Sequence, residues 1–366
     1  MIIVWLLTIF AVLFVLQRLL FNRRVLRRVA YERAFSEPHA FAGETVYMLE
    51  RIVNRQWMPL PWLRVETMMP SPLQFKNQNA ELAISSGQLL QNHASLFSLA
   101  PFTKVVRKHE VVCVRRGVYR VPSLSLTLGD LTGAPGATDT RESGCAITVF
   151  PRLKEARQLP LSARKWMQSA IGMHEAFRED HYEMAGVRPY RSGDSLKQVN
   201  WSATAKTGHT LVNRRETMVD NDVTILLNAE LYDASENRRI QPADFEEAIS
   251  YAASVARHLL ASGGKVGLIY NGKVEGESAV PLVLEPRAGR EHLYRMLHLM
   301  ARFEAVTRRE LGYVLEEMAA SGMRGTNLLV VSAFLTPKQE QLIDRLRQAG
   351  NRVERLLLYR EKEASA

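Results

Sequence analysis

The hydrophobic pattern of this chain changes period once, and that change limits what the chain can fold into. From Ser36 to Arg152 the apolar residues fall in short runs rich in Val, Thr, Ile and Tyr, among them ETVYMLERIV, WLRVETMM, KVVRKHEVVCV and CAITVF. Turn residues separate them, and Pro59, Pro61, Pro70 and Pro72 punctuate the first half of the stretch. Strands at this spacing predict an antiparallel, immunoglobulin-like β-sandwich over residues 36–152, although the Cys-Trp-Cys hallmark of true immunoglobulin domains is not evident. From Asp222 the reading alternates. VTILLNAE is a buried strand, FEEAISYAASVARHLLASGG an amphipathic helix with a Gly stop, and KVGLIYNG a second strand. A helical region over about 289–320, the strands TNLLVVSAF and RVERLLLYR, and a helix near 337–349 between them complete a parallel α/β sheet over residues 222–360. The expected fold class is therefore α+β and multidomain.

Length and composition allow this. At 366 residues, 46% hydrophobic and 23% charged, the chain can build two cores. Residues 361–366 read as a disordered tail. Met1 to Leu16 is almost wholly apolar, and extending the run to Phe21 gives a stretch just long enough to cross a bilayer as one transmembrane helix. Residues 18–33 carry arginines at 18, 23, 24, 27, 28 and 33 against the single acid Glu32, so the segment 22–35 reads as basic and juxtamembrane, next to lipid. By the positive-inside rule the domains that follow are cytoplasmic and the protein is single-pass in the cell membrane. A cleavable signal peptide would carry its charge before the apolar run and a small-residue cleavage site after it, and this chain has neither. Part of the formal charge of +10 thus belongs to the membrane flank. With no aromatic-basic repeat elsewhere, nucleic acid is not an expected partner. Cys113 and Cys145 match neither a redox nor a zinc spacing.

Residues 153–221 form a linker that carries the densest cluster of functional residue types, RPYRSGDSLKQVNW from Arg188 to Trp201. Ser192-Gly193-Asp194 reads as a tight turn, with Asp194 placed to N-cap a helix that ends at Gly208 and carries Leu196, Val199 and Ala203 as its apolar stripe. Two roles are open to Arg188, Tyr190, Arg191, Gly193, Asp194, Lys197 and Trp201. In the architectural one Trp201 fills a core gap and Asp194 pairs with an arginine. In the other, Arg188, Arg191 and Lys197 meet a partner's carboxylate or phosphate, with Tyr190 and Trp201 as anchors.

The segment 184–214, with its Arg-x-Tyr, Gly-Asp, Lys197 and Trp201, resembles the signature of the bacterial domain-of-unknown-function 58 family. Upstream stretches such as RRGVYRVPSLSLTLGDLTGAPG resemble it too. The resemblance implies a von Willebrand A-like, Rossmann-type domain over residues 222–360, a fold that often holds a divalent cation through an Asp-x-Ser-x-Ser loop. It also implies a MoxR-type AAA+ ATPase as protein partner, with this chain as adaptor or scaffold in complex or envelope assembly. Here the loop after the first strand offers Asn228, Glu230 and Tyr232, and Ala333 stands where a second acid is expected. These cannot supply the oxygen set of a hard cation, so the expectation is the fold without metal or cofactor. No GxxxxGK[ST], GxSxG or HExxH is present, so no catalysis is expected. The alternative is a metal-dependent adhesion module or hydrolase with a rearranged site.

Overall fold

The computed structural model describes residues 3–10, 12, 23–76, 82–86, 90–129, 135–179, 187–191, 194, 196, 199–213, 222–233, 238–239 and 241–358. Two compact units emerge, Met1–Leu153 with Leu297–Arg302, and Lys154–Met296 with Phe303–Ala366. The first is built mainly of strands, and the second of strands with helices between them.

In the first unit, β1 (Val29–Phe35), β3 (Thr45–Asn54), β8 (Lys104–Cys113) and β5 (Leu73–Phe75) form a four-stranded sheet in the order β1-β3-β8-β5. A six-stranded sheet is built from β2 (His39–Phe41), β10 (Pro135–Phe150), β9 (Gly117–Gly129), β4 (Leu60–Pro70), β7 (Leu90–Leu99) and β6 (Leu82–Ser86), in that spatial order. One cluster joins Val29 and Ile52 of the first sheet to Leu63, Val65, Phe97 and Leu126 of the second, and another joins Met48 and Val111 to Met69, Val121 and Ile147.

Strand β3 shows how the period of two works and where it is broken. Val46, Met48, Ile52 and Asn54 alternate inward, and so does Glu50, which is fully buried. A buried carboxylate needs partners, and the register supplies them: Arg33 stands directly opposite on β1, with its Nη2 2.8 Å from Glu50 Oε1. Tyr31 donates to the same oxygen, while Ser95 of the facing sheet donates to Oε2 at 3.0 Å. His109 Nε2 lies 3.0 Å from Oε2, so its N–H must donate to the carboxylate. Burial alone would raise the Glu50 carboxyl, but the hydrogen bond from His109, the charge of Arg33 and the hydrogen bond from Tyr31 together hold it well below the usual carboxylate range. His93, stacked on Phe75 at 4.4 Å, is pushed down to about 3 by burial and then by Arg33.

Both shifts have the same sign in the stability balance. Between pH 6.5, the ordinary histidine value, and about 3, the unfolded chain binds a proton that buried His93 refuses, so stability falls as pH falls. Below the ordinary glutamate value of 4.5 the Glu50 carboxyl adds a loss of the same sign. Each group contributes up to about 1.4 kcal/mol per pH unit within its window. Denaturant titrations at stepped pH are expected to show stability of the first unit flat between about pH 7 and 8 and falling steadily below about 6.5. Most of this fall should be lost in His93→Phe down to about pH 4.5, the remainder belonging to His298, which burial also lowers.

In the second unit β13 (Val223–Leu227), β16 (Val266–Tyr270) and β20 (Asn327–Ser332) are buried along their whole length, as strands covered on both faces are. With β18 (Leu282–Arg287) and β21 (Arg352–Leu357) they form a five-stranded sheet in the order β18-β16-β13-β20-β21. Beyond β13, β14 (Tyr232–Asp233) and β15 (Arg238–Arg239) make a short antiparallel pair. Helices Leu311–Ala320 and Pro337–Gln348 bury Leu311, Val314, Leu342 and Ile343 with Leu226, Leu328 and Val330. Helix Pro242–Ala261 buries Phe245, Ile249, Ala252 and Val255.

The fold class expected from the sequence is corrected on several points. Among the described residues no helix is long and apolar enough to cross a membrane. Residues 3–10 and 12 are helical, residues 11 and 13–22 of the expected span lie outside the described residues, and Arg23–Arg27 is a short helix whose Val25 and Leu26 belong to the core of the first unit. The segment 22–35 is therefore not a free basic flank: β1 begins at Val29, and Arg33 faces Glu50 rather than lipid. The single-pass placement rested on that span and is not supported by the described residues. The sheet of the second unit is mixed rather than parallel, because β18 runs antiparallel to β16. The helical region expected over 289–320 is helix Arg290–Ala301, then β19 (Phe303–Thr307), then helix Leu311–Ala320. The intervening strand pairs with β17 (Gly272–Val274), and Phe303 stacks on Tyr270 at 3.9 Å. That partnership between distant segments left no mark on the local pattern.

Candidate functional site

Two places in the second unit gather the residues that the sequence marks as functional candidates. The first is built around β12 (Leu211–Asn213), which pairs antiparallel with β11 (Val187–Pro189) and is bridged by Val199, so Val212 is matched to both Arg188 and Val199. The loop between is closed by a fork of hydrogen bonds: Arg188 Nη1 and Nη2 each donate to an Asp194 carboxylate oxygen at 2.7 Å. The Arg191 backbone N–H donates to the same carboxylate at 2.8 Å. The Arg188 hydrogen bonds, and then that from Arg191, hold the Asp194 carboxyl at about 2.

Asp194 is thus spent on Arg188 and does not cap a helix. The helix starts later than the sequence implied, at Trp201, with Asn200 as its N-cap accepting from Ala203 N, and it ends as expected at Gly208 in the left-handed conformation that favours glycine. The expected apolar stripe fails for the same reason. Leu196 lies outside the helix and is 69% exposed, while Val199 is buried in the bridge to β12. Trp201 does not fill a core gap, being 66% exposed, and Tyr190 is 41% exposed. Gly193 and Lys197 lie outside the described residues.

The second place is the crevice at the carboxyl ends of β13 and β20. The chain passes from β13 toward β16 on one side and from β20 toward β21 on the other, so the sheet opens between them at a topological switch point. A cavity of about 730 Å³ lies there, lined by Glu230, Tyr232, Glu310, Tyr313, Lys338 and Gln339 among others.

Its floor is a closed amide network. Asn228 Nδ2 donates to Ser332 Oγ at 2.9 Å, and Asn228 Oδ1 accepts from Asn271 Nδ2 at 2.8 Å. Asn271 Oδ1 accepts from Ala229 N at 2.7 Å, and Asn271 Nδ2 also donates to Arg309 O at 3.0 Å. Glu230 reaches across to the start of the next helices, its Oε1 accepting from Leu311 N at 2.5 Å and its Oε2 from Gln339 Nε2 at 3.0 Å. Gln339 is fixed in turn by a capping box with Thr336.

The residues at this position do not fit the divalent cation that the resemblance associates with the fold. A hard cation requires converging oxygens, but Asn228 and Gln339 present N–H groups to Glu230, Tyr232 is turned outward at 56% exposure, and Ala333 is buried without a donor. Among the described residues no group of three or more His, Cys, Asp and Glu side chains is arranged to hold a metal ion. Sequence reasoning places Asn228, Glu230 and Tyr232 here but misses Asn271, Ser332 and Gln339. The Thr336-Pro337-Lys338-Gln339 capping box is readable, whereas Asn271 and Ser332 show their role only once their strands are neighbours.

The molecule is thus a β-rich, two-unit protein whose second unit carries an exposed Arg/Tyr/Trp loop and a crevice at the switch point of a mixed sheet. Residues 186–365 match the family model described as Protein of unknown function DUF58. The chain is 21% identical over 342 residues to the Uncharacterized protein YeaD of Bacillus subtilis (strain 168), a match covering 93% of this chain and 78% of that protein. Among solved structures, a non-cellulosomal cohesin from Archaeoglobus fulgidus aligns over 42% of this chain and 99% of its own at 7% identity, with a TM-score of 0.22. Native alpha-2-macroglobulin from Escherichia coli aligns over 34% of this chain and 24% of its own at 13% identity, with a TM-score of 0.25. Scores this low carry no argument about fold or function.

Proposed function

We propose that this chain is a protein-binding adaptor or scaffold, without a catalytic step, and that it docks through the segment 187–213. The observation that carries the reading is the exposure of Trp201, 66% exposed at the start of the short helix of this segment. Leu196 and Tyr190 are exposed with it, and Arg191 stands free of the Arg188–Asp194 fork except through its backbone. Trp, Tyr and Arg are the side chains that dominate binding energies, and here Trp201, Tyr190 and Arg191 stand exposed within one short segment. The Arg188–Asp194 fork and the pairing of β11 with β12 fix Arg188, Asp194 and Val212 before any partner arrives, which lowers the ordering cost of association. The partner class is the MoxR-type AAA+ ATPase implied by the family resemblance, in the assembly of a complex.

Trp201 opens a short solvent-facing helix, so truncating it leaves the fold intact. Titration of a purified candidate ATPase against the chain and its Trp201→Ala variant is expected to show a loss of about tenfold or more in affinity. Equal affinity, with unchanged circular dichroism, would return the segment to an architectural role.

A further inference from the structure

Glu230 and Glu310 both line the switch-point crevice, and among the described residues no Lys, Arg or His comes within ion-pair distance of either. The lysine of the same lining, Lys338, pairs with Glu316 at 3.0 Å, and that pair, with smaller contributions from Tyr313 and Glu310, raises its pKa. We infer that this crevice binds an arginine or lysine side chain presented by a protein partner.

Other ligand classes are excluded by what already fills the crevice. Two helices begin there, a position that ordinarily attracts an anion, but Leu311 N is taken by Glu230 and Gln339 N by Thr336. An incoming anion would meet two carboxylates, with those amides already engaged. A divalent cation would have to displace the amide donors of Asn228 and Gln339 from Glu230. An organic cation displaces nothing. Among the described residues Glu230 accepts from neutral donors only, and an ionised carboxylate retains room for a further donor. Glu310 is exposed at the mouth, where a guanidinium or ammonium can reach it. Tyr313, 56% exposed, supplies a ring face for the aliphatic stem and for cation–π contact. The cavity of about 730 Å³ exceeds one side chain, leaving space for the backbone that carries it.

The inference rests on the reading of the chain as a protein-binding platform, but its test does not. The full chain is titrated with N-acetyl-arginine N-methylamide, with the corresponding glutamate derivative and with spermidine, and binding is followed by amide chemical shifts. The arginine probe is expected to saturate, with shifts confined to residues 229–232, 305–313 and 334–339, and the glutamate probe to do nothing. Glu310→Gln and Tyr313→Ala, neither of which breaks a hydrogen bond of the fold, are each expected to weaken the arginine probe about tenfold. Absence of saturation, or equal binding by Glu310→Gln, overturns the inference. Saturation by spermidine without the arginine probe overturns the assignment to a protein side chain. If the arginine probe binds while the ATPase does not, the platform reading fails and the cation site stands.

Discussion

Replacing Glu50 with leucine is expected to cost the first unit about 3–5 kcal/mol of stability. The side chain itself would pack well between Met48 and Ile52. The loss comes from what remains: Arg33, 7% exposed, keeps a charge with no counter-ion, and Tyr31, Ser95 and His109 lose their shared acceptor. The double variant Glu50→Leu with Arg33→Met removes both charges and should recover most of that loss, because a buried pair is expensive to break but contributes little over apolar residues of the same volume. Guanidinium unfolding, with hydrogen exchange of the β3 and β8 amides as the local readout, measures both. A single variant as stable as the parent, or a double variant no better than the single, would mean that Glu50 is not the centre of the network.

The second large effect belongs to Asn271, which is fully buried. Asn271→Leu should destabilise the second unit by about 3 kcal/mol, since Ala229 N and Asn228 Oδ1 lose a buried partner and Arg309 O a part-buried one. These losses share one side chain and do not add. Asn228 keeps Ser332 and Glu230 but loses the donor that orients its Oδ1, and Ala229 loses its anchor beside Glu230, so the variant should also weaken the arginine probe at the crevice. Magnesium is expected to restore neither, because the network is held by amide hydrogens rather than by a cation. Thermal unfolding with and without magnesium at about 10 mM, an excess for weak oxygen sites, decides this. Recovery of stability on adding magnesium would reinstate a metal site.

What the sequence conveyed and what it concealed follow from the range of the interactions. VTILL and NLLVVS are continuous apolar runs and lie as fully buried strands, and the helix stop at Gly208 needs only one residue's backbone freedom. The mismatch at Asn228 and Tyr232 with a cation loop is equally local. Glu50 is not legible, because a glutamate in a strand reads as solvent-facing until the register puts it on the inward face opposite Arg33. Arg33 itself reads as part of a basic membrane flank for want of that pairing. Asp194 reads wrongly as a helix cap because two acceptors compete for the role: Asn200, one residue before the helix, satisfies its N–H groups, while Asp194 matches the planar fork of Arg188. The antiparallel β18 is a matter of sheet order, which periodicity does not encode.

Affinity purification of the tagged chain after mild crosslinking, beside a variant carrying Arg191→Glu and Trp201→Ala, tests the central claim most directly. The account predicts that an AAA+ ATPase is recovered with the native chain and lost with the folded variant. Equal recovery with both would contradict the docking surface, and recovery with neither would contradict the adaptor role itself.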